Sequence, residues 1–163
     1  MNKLEKILLL VLGLAVIVLA VVLLLQPKTT PQTVVGEFTP PPFEEMAVVG
    51  TPTVYYPQIY GTLNLSEHAS VSLYSVPVVQ DNTATVFFAV KEESSVWVRL
   101  RLCDEEGNIL GQTGLLRPGE YVKDILLERM PTSTRAVAKL LTYEPETYFS
   151  MGSATAKIQL QLK

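Results

Sequence analysis

The sequence holds one cysteine, Cys103, and one histidine, His68, in 163 residues. A single thiol excludes an intramolecular disulfide, and so few soft ligands exclude the Cys/His constellations of structural zinc. Concentrated positive charge is missing too. The ten Lys/Arg beyond residue 50 are outnumbered by twelve Asp/Glu and scattered among them, and the formal net charge is -3. Nucleic-acid binders carry a basic stripe that neutralises phosphates, so nucleic acid is excluded as a partner. Catalytic patterns are also lacking. There is no G-x-S-x-G elbow, and the neighbouring Ser66, Glu67 and His68 sit in a loop where adjacent residues cannot converge as a triad. The acidic pairs Glu92/Glu93 and Glu144/Glu146 read as solvated loop charge. The run DEEGN, residues 104–108, lacks the alternating ligands and distal glutamate of a calcium loop and reads as a hairpin turn. No catalytic residue, cofactor or metal is expected, and the chain reads as non-enzymatic.

What the sequence does have is one long apolar run. Residues 7–25, ILLLVLGLAVIVLAVVLLL, are nineteen residues without charge or proline. As a helix they would span about 28 Å, close to a bilayer's hydrocarbon core, and they are apolar all round. A cleaved signal peptide has a shorter apolar region and an A-x-A-like end, whereas this run closes on LLLQP and no lipidation cysteine follows. The expectation is an uncleaved signal anchor that places the chain in the lipid bilayer. Lys3, Lys6 and the amino terminus precede the span, and only Lys28 follows closely, so residues 1–6 are expected in the cytoplasm and the rest outside the cell membrane. Gly13 is followed four residues later by Ile17, so the span shows no small-xxx-small pairing motif and leaves the oligomeric state unknown.

Residues 26–57 hold seven of the eleven prolines, including PPP at 40–42. Proline fixes φ and removes backbone donors, so this segment is expected to be a semi-rigid extracytoplasmic stalk with polyproline II character. Two apolar stretches, residues 34–35 and 47–49, offer an alternative: packing on the domain or forming a short edge strand.

From residue 58 the apolar pattern has period two. Strands are expected at residues 59–65, 71–79, 83–91, 96–103, 108–113, 121–127, 135–143 and 154–162. Ala84, Val86, Phe88 and Val90 share one face, as do Val96, Val98, Leu100 and Leu102, and these are the expected core faces. In RPGE, Pro118 and Gly119 suit the two central positions of a type II turn, anchored by Leu115 and Leu116, with Arg117 and Glu120 exposed. Pro77 inside its run marks an edge strand or a bulge. Connections this short leave no room for crossover helices. The fold class is therefore all-β, an antiparallel immunoglobulin-like sandwich of about 7–8 strands over residues 58–163, preceded by one transmembrane helix.

The string from LYSV through DEEGNILGQTGLLRPGEYV to KLLTYEPETY and GSATAKIQL resembles a group of small membrane-anchored proteins of low-GC Gram-positive bacteria. The resemblance covers about 95 residues plus the anchor, and its motifs are those of a fold. It implies an extracytoplasmic β-sandwich of the immunoglobulin or fibronectin-III type, of uncertain function, sometimes associated with conjugative elements or the envelope. Where members of the group carry Gly-x-Tyr before the penultimate strand, this chain has Thr132, Ser133, Thr134 and Arg135.

Two places stand out as partner surfaces. Opposite the core face of the strand at 96–103 lie Trp97, Arg99, Arg101 and Cys103, where a tryptophan beside arginines has the composition of a binding hot spot. The competing reading has Trp97 covering a neighbouring strand, with Phe87 as its contact. Residues 141–152 add Tyr143, Tyr148, Phe149 and Met151 at a sandwich end, where loops of this fold often meet partners. Cys103 reads as a quiet strand-end thiol. The expected role is a single-pass envelope protein that displays a β-sandwich to an unknown envelope protein. An accessory subunit of a secretion or conjugative assembly, and a protease inhibitor using residues 144–150, are the alternatives.

Overall fold

The computed structural model of the protein describes Asn2 and residues 39–163. The expected membrane span at 7–25 and the first part of the stalk lie outside the described residues. Among the described residues, no helix is long and apolar enough to cross a membrane. The second compact unit runs from Thr39 to Lys163, so it takes in residues 39–57, the proline-rich text ahead of the boundary drawn after Pro57.

Eleven strands follow in order among the described residues: β1 Val48–Val49, β2 Tyr60–Ser66, β3 Ala69–Tyr74, β4 Val78–Gln80, β5 Thr83–Val90, β6 Trp97–Cys103, β7 Ile109–Gln112, β8 Glu120–Leu126, β9 Arg135–Tyr143, β10 Ser150–Gln159 and β11 Gln161–Leu162. One sheet has the order β1-β8-β5-β3-β2, with β4 paired to β5 and β11 to β4; the other runs β10-β9-β6-β7. The pairings are antiparallel except for the short parallel match of β11 with β4. The sheets share one core. Phe88, Val86 and Val71 from the first meet Leu100, Leu102 and Leu140 from the second, all fully buried. Burying such a side chain contributes about 1.5–3 kcal/mol, so the facing apolar stripes bring these two sheets together. Both expected core faces are buried along their whole length.

Two expected strands divide. The run 71–79 breaks between β3 and β4 because Pro77 has no N–H for a ladder. The jog is used: the Ser75 carbonyl accepts Gln159 N–H and the Pro77 carbonyl accepts Gln161 N–H. The run 154–162 breaks at Leu160, buried where the chain leaves the second sheet for the first. A bulge in β5 sets Val86 and Phe87 against Lys123 of β8, with Phe87 at φ 44°. Across this bulge Ala84 and Phe88 stay inward opposite Ile125 and Val122, which are three residues apart on β8, and Phe87 stands on the outer face.

The outer face of the first sheet is covered by the segment ahead of β2. Leu115 N–H donates to the Pro42 carbonyl, Glu44 N–H donates to the Leu115 carbonyl, and β1 pairs with β8. Farther along, the Tyr74 hydroxyl accepts the N–H groups of both Tyr55 and Tyr56, at 2.9 and 3.0 Å. Phe87 is buried under Tyr55 and Tyr74. We call residues 42–56 the strap.

Candidate functional site

Residues Trp97, Tyr143 and Tyr148 come together at one end of the second sheet. Trp97 opens β6 and lies opposite Tyr143 in the β6–β9 register, so both side chains stand on the outer face. Tyr148 arrives from the hairpin between β9 and β10, its ring 5.1 Å from that of Trp97. The hairpin is closed tightly: Glu144 N–H donates to the Phe149 carbonyl, Tyr148 N–H to the Glu144 carbonyl, and the Thr147 hydroxyl to Glu144 Oε2 at 2.6 Å. This closure holds Glu146 and Tyr148 at φ 68° and 60°, a conformation uncommon outside glycine. The result is a stiff knuckle that presents Phe149, 70% exposed, and Met151, 52% exposed.

The other neighbour of Trp97 is Phe43 of the strap, edge-on at 4.8 Å. Arg117 in turn lies over the Phe43 ring at 3.6 Å and pairs with Glu120 at 3.1 Å. Trp97 therefore joins strap, sheet and knuckle. The expected contact of Trp97 with Phe87 is not what forms, because β5 and β6 belong to different sheets and Phe87 packs under the strap. The turn of RPGE also differs in one respect from expectation. Gly119 takes φ 80° and Glu120 N–H closes on the Arg117 carbonyl, as a type II turn requires, and Leu115 and Leu116 are fully buried. Glu120, however, folds back to accept the Arg117 N–H at 2.7 Å and leaves its side chain only 12% exposed.

Arg99 and Arg101 share the outer face but serve another purpose. Arg99 Nε donates to the Thr113 carbonyl at 2.8 Å and Arg101 Nε to Gln112 Oε1 at 3.0 Å, which ties β6 to β7 and the loop after it. Burial, and then the charge of Arg101, lower the Arg99 pKa from its ordinary value. The cation–π contacts among the described residues are Arg117 on Phe43 and Lys123 on Tyr55, neither of which involves Trp97. Cys103 is buried at the end of β6, and that burial pushes its thiol pKa up.

Elsewhere the chemistry is structural. In the turn after β6, Asp104 accepts from the backbone N–H groups of Glu106 and Asn108 and from the Asn108 amide, while Gly107 takes φ 90°. Those bonds, the Asn108 side chain first, hold the Asp104 carboxyl below its ordinary pKa. His68 is an exposed hairpin residue beside Glu67. Among the described residues, no group of three or more His, Cys, Asp and Glu is placed to hold a metal ion. A shallow depression of about 400 Å³ lies between the strap and the first sheet, lined by Met46, Tyr55, Phe87 and Lys123 among others.

Sequence reasoning missed Phe43 as a partner of Trp97, and Arg117 as the cation over Phe43. Phe43 follows three prolines, and nothing local links it to β6. The one signal was Gly114: an added Cβ would lie 2.5 Å from the Glu44 nitrogen, so the strap needs a glycine there. No protein-family model matches the chain, and no curated protein matches it.

Proposed function

We propose that the protein is a single-pass envelope protein, anchored by residues 7–25 with its amino terminus in the cytoplasm, that presents an immunoglobulin-like β-sandwich for contact with another envelope protein and carries no catalysis. The length and uniform apolarity of residues 7–25 support the anchor. The resemblance to membrane-anchored sandwich proteins of low-GC Gram-positive bacteria supports the same placement. The finer fold class is supported by strand distribution. β5 and β8 lie in one sheet and β6, β9 and β10 in the other, as strands B and E face C, F and G in immunoglobulin domains.

The observation that carries the interaction reading is the knuckle beside Trp97. Phe149 and Met151 project from a closed, hydrogen-bonded hairpin whose Tyr148 packs on Trp97. A rigid, protruding apolar pair on a hairpin braced by aromatics matches the core of protein interfaces, whose anchors lose little entropy on binding. The hairpin closes on itself, which suits such a surface better than an extended protease-inhibiting loop.

The test is co-purification of the full chain from its own membranes in mild detergent, comparing wild type with the Phe149→Ser, Met151→Ser double variant. Both side chains are exposed, so the variant should unfold at the same temperature and lose a protein partner that wild type retains. An identical set of companions with both proteins, or none with either, would defeat the reading.

A further inference from the structure

Among the described residues, β10 has one edge on β9 and no strand on the other. Gln159 N–H turns away from β9 to meet the Ser75 carbonyl. In an antiparallel ladder the backbone groups alternate sides residue by residue, so Lys157, Thr155 and Ser153 also direct N–H and C=O away from β9. The window is bounded at both ends: a bulge falls between Ser150 and Gly152, and Gln159 is taken by Ser75. No other strand among the described residues covers it.

Natural edges are protected by lysine or proline on the strand, bulges, inward charge or a covering segment, and here the bulge and Lys157 lie at the two ends of the window and leave its middle open. Residues 153–157, SATAK, have no proline, and Lys157 is their one charge. Ala154 and Ala156 face inward and are small, while Ser153, Thr155 and Lys157 face solvent. The neighbouring edge of the first sheet, β2, is also without charge, and Leu65 lies beside Met151 and Ala154 along the seam between them.

From this we propose that β10 pairs antiparallel with β10 of a second copy about a two-fold axis at Thr155, joining two four-stranded sheets into one. The register follows from the window, whose midpoint is Thr155. Two Thr155 residues then exchange hydrogen bonds, and each Ser153 faces the other copy's Lys157, for six backbone bonds in all by the pairing rule of an antiparallel ladder. Thr–Thr is a favourable cross-strand pair. The two lysines end four strand positions apart, about 13 Å, which exceeds the screening length of roughly 8 Å at physiological salt. An axis at Lys157 would set the lysines face to face. An axis at Ser153 would run the pairing into the bulge. The strand is thus self-complementary in one register, and a second copy is its occupant.

The test is sedimentation of the full chain in mild detergent over a concentration series. Wild type is expected to dimerise. Thr155→Pro removes an N–H that points away from β9, so it should leave the fold intact and abolish the dimer. Ser153→Lys sets lysine opposite the other copy's Lys157 at both symmetric positions and should weaken the dimer roughly tenfold, and adding Lys157→Glu should restore it. If Thr155→Pro fails to fold, this charge pair decides alone. A wild-type monomer at every concentration, or a dimer indifferent to Ser153→Lys and its rescue, would overturn the proposal.

Discussion

Asp104 shows how one short side chain fixes a hairpin. Its two carboxylate oxygens take three donors from the four residues that follow, so the turn between β6 and β7 is wound around a negative charge. Because those bonds favour the charged form, the folded carboxyl has a lower pKa than the unfolded one. The unfolded state therefore binds the proton first as pH falls, and the contribution of Asp104 is complete above the unfolded pKa and disappears on acidification through the folded one. Asp104→Ala should accordingly be less stable than wild type near neutral pH, and the two urea midpoints should approach each other as pH falls through and below the ordinary carboxylate range. A gap that stays constant over that range would show that the turn does not depend on the charge. The residues of this turn were legible in sequence as a glycine hairpin with acidic neighbours. Its wiring was not, since which oxygen meets which N–H depends on a backbone path that composition does not specify.

At the scale of elements, legibility divides by the range of the forces involved. Strands with a clear alternation, such as β6, came through with their core faces intact, because burial of every second residue is written locally, and β5 kept its core face despite its bulge. The breaks at Pro77 and Leu160 were harder to place, since each depends on where another strand leaves its carbonyls. The strap was the least legible. Its prolines advertise an extended chain, yet it turns at Glu45 and Met46, and the hydrogen bonds that fasten it go to residues far along the sequence. The strap is fastened at three places, at Gly114 and Leu115 near its start, by β1 and Gly50 along β8 and its preceding turn, and at Tyr74 near its end. These latches share no residue, so their losses should be separable. Tyr74→Phe removes the acceptor of two N–H groups and should cost roughly 1–3 kcal/mol, with faster hydrogen exchange at Tyr55 and Tyr56. Gly114→Ala forces a Cβ against the Glu44 backbone and should cost a similar amount, roughly 1–3 kcal/mol, with faster exchange at Glu44 and Leu115. Exchange rising across the whole strap in either variant would mean that it opens as one unit.

For the whole molecule, the strap decides what counts as the domain. The two sheets share a core that would exist without it, and on composition alone the domain starts after the last proline of the stalk. Yet the strap buries Phe87 and Tyr74 on the outer face of the first sheet, supplies Phe43 to Trp97 and Arg117, and adds β1 to the edge of β8. Removing it would uncover a large aromatic patch and an unpaired edge together, the two features that most promote association of β proteins. A chain beginning at residue 39 should therefore melt in one cooperative transition. A chain beginning at residue 58 should melt at a lower temperature, bind a hydrophobic dye in its native state and aggregate on heating. Equal melting temperatures for the two would make the strap a passive tether. The expected difference also bears on how a pull from the amino-terminal side would reach the sandwich. Entering at Pro42 and Phe43, it would meet the latch at Leu115 first, beside Trp97 and the knuckle, before any strand of the shared core.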